Sequence, residues 1–454
     1  MAFCVLRLAY DVGRTTHDPR QALGVRLSAI GAIPSTPAPP LYPRFKLVRM
    51  RQNISVEDAL ESILSQVRPI AESETVPLSQ AYQRVLAQDL ASKVYHPDAD
   101  DSAVDGYAVR GEETITASVS TPVRLEVVGE APAGRPFPGE VQPGQAVAIY
   151  TGAPVPKGAN AVVRVEDTVR DGTGVWLLKP ANAADIRHRG DDLRLGEVYL
   201  HRGAWLNAAR VALAAAMGYP NLPVVRRPRV GILSTGDEVV EPGQPLPYGG
   251  VYNSNSYALV GQVQDAGGEA VVLGKVPDSL EVLKRGLAGV GQLDLLLTSG
   301  GVSMGKYDLV RRLLESEGNI HFWRVKLQPG GPVLFADYRG LPVLGLPGNP
   351  VSSMVVFHLL GRPLLFKLIG RSDPPYAGVQ ATAATAFGAN PSKRVYRRGV
   401  LRWTPQGFTV ESTGSQSSGV LRSMVEGNAL VVLEAGAGAK AGDRVTVIPL
   451  GFTI

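Results

Sequence analysis

The sequence predicts a multidomain α/β plus β chain: a doubly wound, mainly parallel α/β domain over 228–370, a small β domain before it, an elongated helical segment, and a C-terminal β domain. Three observations lead there. From Arg229 to Leu368 buried apolar runs alternate with helical patterns, as strand–helix–strand units of a parallel sheet require. Three of those runs, RVGILSTGDEVV, LDLLLTSGG and VLGLPGNPVSS, break into glycine- and hydroxyl-rich turns. On both sides the texture changes to short β-branched runs separated by Gly and Pro, of which the chain holds 51 and 35.

Residues 1–49 carry seven Lys or Arg against Asp11 and Asp18, which leaves 39 basic and 39 acidic residues beyond them, so the formal charge of +5 belongs to this tail. A nucleic-acid role thereby loses its electrostatic footprint. The tail is expected to be a disordered extension or a misassigned start with Met50 the true beginning, because IGAIPSTPAPPLYP offers little apolar surface to bury. Its Arg-rich, acid-poor character leaves a transit peptide open. It also holds Cys4, the single cysteine, which removes disulfides, thiolate nucleophiles and cysteine metal sites from the body and fits a reducing cytoplasm. No run of about 18 apolar residues occurs, so no membrane span is expected.

Over 50–92 a helical lead-in is expected. VEDALESILSQV has Ser55 as N-cap, Asp58 in the first turn, and Val56, Leu60, Ile63 and Leu64 on one face. PLSQAYQRVLAQDL repeats the pattern with Ala81, Val85 and Leu86 inward. This segment and 195–227, where LNAARVALAAAMGYP stops at Gly218, make the elongated helical domain. Over 93–194 the runs VRLEVVGE, AVAIYTG, NAVVRVED and GVWLL predict a small β domain. It carries polar clusters at Asp100–Val109 and Tyr150–Asp167, and a turn around Gly190 with Arg187, Arg189, Asp191 and Asp192. Taken alone, these read as solvated surface turns. In the α/β domain helices are expected from near Asn255 to Gly267, over SLEVLKRGLAG and over YDLVRRLLESEG. After a linker at Arg371–Pro375, hairpin-like runs without a convincing helix predict a C-terminal β-barrel domain over 371–454.

Loops at the carboxyl ends of parallel strands gather on one edge of a sheet, where unpaired helix N-terminal amides favour anions. Ser234–Glu238, Thr298–Asp308 and Leu346–Ser353 are therefore expected to line one pocket. Ser234, Thr235, Ser299, Gly300, Gly301, Ser303, Pro347, Asn349 and Pro350 become candidate phosphate binders. Carboxylates at Asp237 and Asp308 beside phosphate call for a hard cation, Mg²⁺. Each acid also reads as a helix cap or first-turn residue worth about 1 kcal/mol. No Walker-type GxxxxGK[ST] or strand-linked GxGxxG is present, and GAGAKAG at 436–442 has the wrong spacing. His96, His188, His201, His321 and His358 are scattered and no GxSxG elbow precedes a helix, which disfavours a Ser–His–Asp hydrolase.

Six motifs in one order and spacing, DSAVDGYAV, TGAPVPKGANAVVRVE, STGDE, TSGGVSMGKYD, PGGP and GLPGNPVS, closely resemble the MoeA family of molybdopterin molybdenumtransferases from about Met50 to the end. The resemblance implies insertion of molybdate into adenylylated molybdopterin with Mg²⁺-assisted release of AMP. It also implies a homodimer whose cleft joins the α/β domain of one subunit to the β domain of the other. By position it matches Asp237 and Asp308 to catalytic and metal-side carboxylates, Glu166 and Asp191 to further acidic positions, and Asp105 and Thr151 to substrate binding. Lys326, Gln328, Arg397 or Arg398, and Ser417 fall where anion-binding residues are expected.

The chain departs from the family pattern at Met304, a usual Val whose change is harmless packing, and in two places that bear on the site. GDD replaces the usual GED, so the shorter Asp191 must reach further. QPGGP replaces KPGKP, which puts Gln328 and Gly331 where lysines are common, with Lys306, Arg324 and Lys326 as the nearby cations that could compensate. The rival enzyme is the molybdopterin adenylyltransferase, whose single domain resembles 228–370 only, and which is itself a candidate partner. A non-catalytic scaffold is the other rival.

Overall fold

The computed structural model describes residues 51–276, 280–281, 284, 292–301, 309–372 and 378–451. The expected tail over 1–49 and most of the helix expected over SLEVLKRGLAG lie outside these residues. The α/β domain is built on a seven-stranded sheet in the order Arg51–Ile54, Asn319–Val325, Leu334–Tyr338, Leu341–Leu346, Leu295–Ser299, Arg229–Thr235, Glu269–Val276. Its neighbours pair in parallel except at Leu334–Tyr338, which runs antiparallel to both flanking strands.

Every residue of Leu295–Ser299 is buried, as a central strand covered on both faces must be. Strand alternation then divides its side chains. Leu295 and Leu297 join the core beneath the helices Ser254–Asp265 and Pro350–Leu368, while Leu296 packs on the opposite face against Leu309, Leu313 and Leu314 of the helix Leu309–Glu317. Pro350–Leu368 is long and apolar enough by length and composition to cross a membrane, yet 83% of that window is buried inside the protein, so it is a core helix.

The lead-in differs from its sequence expectation. Val56–Gln66 is the anticipated helix, with Ser55 and Asp58 closing a reciprocal capping box. Before it, however, Arg51–Ile54 is an edge strand of the α/β sheet. The helix expected over PLSQAYQRVLAQDL is absent. Leu78–Gln80 makes one 3₁₀ turn, and Gln83 at φ 58° cannot continue a right-handed helix. Ala81, Leu86 and Leu90 do face inward, but against Met217, Leu222 and Val224, because Ser73–Pro77 pairs with Asn221–Val225 and Leu90–Ala91 with Val198–Leu200. Long-range strand pairing thus overrode helix propensity, and among the described residues of this region beyond Gln66 only Ala208–Ala216 is α-helical.

The small β domain is a six-stranded sheet ordered Ala161–Arg164, Gly106–Val109, Gln145–Ile149, Val123–Ala131, Gly174–Leu177, Thr168–Asp171. At the C-terminus Arg394–Thr404, Gly407–Ser412, Val379–Ala383, Arg444–Pro449 and Ala429–Leu433 pair in sequence, and the last returns to the first, closing a barrel. A short helix at Arg422–Glu426 sits within it, unforeseen from the sequence. Leu327–Gln328 pairs in parallel with Arg394–Val395, tying the barrel to the α/β domain.

His358 lies in the core helix. Burial, reinforced by the nearby Arg362 charge, pushes it down to about 3 from 6.5. Between those values the unfolded chain binds a proton that the folded chain refuses, so stability falls as pH drops below about 6.5 toward 3. Thermal unfolding should show His358→Leu losing about 2 kcal/mol less than wild type between pH 7.5 and 5.

Candidate functional site

Register places three loops side by side. Ser234 lies opposite Ser299, and Ser299 opposite Leu346, so the three parallel strands end abreast and their loops leave from one edge. Gly236 turns the chain at φ 122° immediately after Thr235 and delivers Asp237 and Glu238 to this edge. Gly300 and Gly301 carry φ of 87° and 69°, and a Cβ on either would lie 3.0 Å from Thr235 Oγ1. Glycine is therefore what lets the two loops press together. Gly300 N–H donates to Leu346 O at 3.1 Å, and Asn255 Nδ2 donates to Ser299 Oγ and to Gly348 O, each at 2.7 Å. One asparagine at the start of a helix thus holds two cleft loops in place.

These loops form one wall of a cleft of about 1340 Å³. A second wall comes from the segment Leu327–Pro332. The third is the C-terminal barrel, through Asn390, Lys393 and Gln416–Gly419. Asn349 Nδ2 donates to Ser418 Oγ at 3.1 Å and Val351 N–H to Ser418 O at 3.3 Å, so barrel and α/β domain are joined at the cleft itself. The N-termini of Ser254–Asp265 and Pro350–Leu368 both open onto it, and the positive ends of their helix dipoles suit an anion. The charged side chains among the described lining residues are Asp237, Glu238 and Lys393.

Of the residues expected to bind substrate, Thr235, Ser299, Gly300, Gly301, Gln328, Pro347, Asn349, Pro350 and Ser417 line the cleft together with Asp237. Ser303 and Asp308 lie outside the described residues, as does Lys306. Ser234 also borders the cleft, but it is buried and its hydroxyl is engaged by Asn253 Oδ1 at 3.1 Å and Ser256 Oγ at 2.7 Å. Its observed bonds tie a strand end to the following helix. Lys326 is exposed and not among the lining residues, and Arg324 lies over the Trp323 ring at 4.5 Å.

The arginines also depart from expectation. Arg397 donates to Gly388 O. Arg398 is fully buried, donates to Ser415 O, Ser417 O and Ser423 Oγ, and shapes the Ser415–Ser417 loop from behind. Burial, then repulsion from Arg397, pushes its guanidinium down to about 10, which leaves it charged at neutral pH.

Asp105, Thr151, Glu166 and Asp191 do not line this cleft. All four are exposed on the β domain. Thr151 donates to Asp105 Oδ1 through its backbone N–H at 2.8 Å and its hydroxyl at 2.9 Å, which holds the Asp105 carboxyl below its ordinary range. Asp191 Oδ2 accepts from the His188 N–H at 2.6 Å, bracing the Gly190 turn. Asp105 and Asp191 are thus held by hydrogen bonds on an exposed face that, among the described residues, does not border this cleft.

A hard cation fits the donors present. Asp237 and Glu238 are exposed oxygen ligands at the loop edge, and Mg²⁺ is ordinarily held by one or two carboxylates plus substrate phosphates. Among the described residues no group of three or more His, Cys, Asp or Glu could hold a metal without such help. Sequence reasoning missed Asn255, Asn390, Lys393 and Gln416. Only the helix-start position of Asn255 gave any signal.

Three sequence-family models match the chain: the MoeA N-terminal region (domain I and II) over 54–218, a probable molybdopterin binding domain over 231–367, and the MoeA C-terminal region (domain IV) over 380–450. The molybdopterin molybdenumtransferase of Haemophilus influenzae is 35% identical over 413 residues, covering 88% of this chain and 100% of that protein. Molybdopterin molybdenumtransferase 2 of Mycobacterium tuberculosis is 39% identical over 390 residues, covering 82% and 94%. The crystal structure of the molybdopterin biosynthesis MoeA protein from Pyrococcus horikoshii OT3 superimposes with a TM-score of 0.76 at 30% identity, covering 87% of this chain and 100% of that one.

Proposed function

The chain belongs to the MoeA family of molybdenum cofactor biosynthesis transferases, and on that premise we propose that it inserts molybdate into adenylylated molybdopterin with release of AMP. The observation that supports this most is the cleft itself. Three strand ends and two helix N-termini converge on it, as a ligand rich in phosphate requires, and it has room for a nucleotide joined to a pterin. Backbone amides at Gly301 and Asn349 bind phosphate oxygens, while the loops stitched by Asn255 keep those amides fixed before the substrate arrives.

Asp237, with Glu238 beside it and Asp308 as the second carboxylate, would hold Mg²⁺. When bound, the cation offsets phosphate charge and polarises the phosphoryl group that AMP leaves. Beyond the N-terminal tail the sequence holds no cysteine and no GxSxG elbow for the bond-breaking step, so preorganised charge and hydrogen bonds carry it. A homodimer completes the site: the exposed Asp105–Thr151 face and the acids Glu166 and Asp191 of a second copy close over the cleft. Gln328 and Ser417 meet the anion directly, and Arg398 acts by fixing the Ser417 loop. The upstream enzyme that adenylylates molybdopterin is the proposed partner, and with its single cysteine the chain suits a reducing cytoplasm.

Purified protein supplied with adenylylated molybdopterin, molybdate and Mg²⁺ should release AMP and yield active cofactor. Removing the cation with a chelator should stop AMP release, and adding Mg²⁺ back should restore it. Absence of turnover in the complete mixture sinks the proposal.

A further inference from the structure

Lys275 lies on the outermost strand of the α/β sheet, Glu269–Val276, and reaches the loop that carries Asp237. Strand register puts it there. Ile232 pairs with Val272 but Leu233 with Gly274, so Leu273 is an extra residue, a β-bulge, and Gly274 takes φ 78° beside it. The bulge shifts the pairing by one and sets Lys275 opposite Ser234, just before Gly236 turns the chain. The side chain of Lys275 is exposed, and its Nζ donates to Asp237 O and to Val239 O, each at 2.9 Å.

A lysine on an edge strand ordinarily keeps that edge solvated. Here it completes a hydrogen-bond set. Gly236 O accepts from Val239 N–H at 3.2 Å and Glu238 O from Val251 N–H at 2.9 Å, so every carbonyl from Gly236 to Val239 has a donor, and the ammonium of Lys275 serves both that remain. The Asp237 carboxylate takes no donor from the described residues, which leaves its position to the backbone beneath it. Resting on the functional reading above, we infer that Lys275 is a positioning residue for the reaction: it clamps the Asp237–Val239 backbone to the sheet edge and so fixes where the Asp237 carboxylate meets cation and phosphate. Without the clamp the loop keeps its short ladder from Val239–Val240 to Val251–Tyr252, but nothing else among the described residues holds the Asp237 carbonyl.

AMP release from adenylylated molybdopterin is to be measured against Mg²⁺ concentration in the full chain, in Lys275→Met, Lys275→Arg and Asp237→Asn, and in the double variant Lys275→Met, Asp237→Asn. Lys275→Met should lower the rate about tenfold and raise the half-saturating Mg²⁺, while Lys275→Arg, which keeps two donors, should stay within about threefold of wild type. On the Asp237→Asn background Lys275→Met should cost less than about a further twofold, because its effect passes through the missing carboxylate. Hydrogen exchange read by mass spectrometry should show the Val239 and Val251 amides exchanging faster in Lys275→Met than in wild type. The melting temperature should not move, because the lysine is exposed. Unchanged AMP release in Lys275→Met overturns the inference, as do an equal fold-loss with and without Asp237, a loss in Lys275→Arg as large as in Lys275→Met, or unaltered exchange at Val239 and Val251. If the wild type releases no AMP while Lys275→Met still speeds that exchange, the functional reading fails and the clamp stands.

Discussion

Asp237→Asn should lower AMP release from adenylylated molybdopterin about 10²- to 10³-fold, the usual effect of removing one preorganised electrostatic contact from a reacting centre. The change is isosteric. Asp237 is exposed at the lip of the cleft, and the helix-start and strand-end contacts around it are made by other residues: Lys275 Nζ donates to its backbone carbonyl, not its carboxylate, at 2.9 Å. Stability should therefore stay within about 0.5 kcal/mol of wild type. Raising Mg²⁺ should recover part of the lost rate if the carboxylate acts through the cation. Wild-type turnover in Asp237→Asn would remove this residue from the mechanism.

Mixing two inactive variants should restore activity. Asp105 and Asp237 do not share a cleft within one chain, so the proposed dimer makes them complementary. Asp105→Asn and Asp237→Asn homodimers should each be nearly inactive. Unfolded and refolded together, or co-expressed, they should reach about a quarter of wild-type turnover, because about half of randomly formed dimers are mixed and each mixed dimer keeps one intact cleft. No recovery on mixing, with heterodimer formation verified by mass, would place Asp105 outside the reaction or both residues in one chain's site.

The legibility of the chain depended on distance along it. The runs RVGILSTG, LDLLLTSGG and VLGLPGNP announced strands that end in turns, and Gly300 and Gly301 announced a close approach of backbone, which the Thr235 contact explains. Ser234 misled, because its hydroxyl is consumed by Asn253 and Ser256, about twenty residues on, in a pairing no local pattern reveals. Arg398 misled for the same reason. A second arginine in RRG looks like an anion ligand, yet the barrel encloses it and turns its donors onto the loop that carries Ser417. The stretch PLSQAYQRVLAQDL read as a helix, since its apolar spacing suits one, and was captured by a distant segment near Asn221.

By itself the sequence determined the alternation of strands and helices, the edge at which ligands gather, and the family, because these rest on periodicity and on motifs whose spacing is fixed within a few residues. The tertiary structure alone decided which polar groups face the cleft and which are spent holding it. Asn255 bridging two loops, Arg398 behind a third, and Lys393 reaching the cleft from the barrel are all products of strand register and domain contact. Hydrogen bonds and charge act over a few ångströms, and chain separation carries no information about that distance until the fold has closed it.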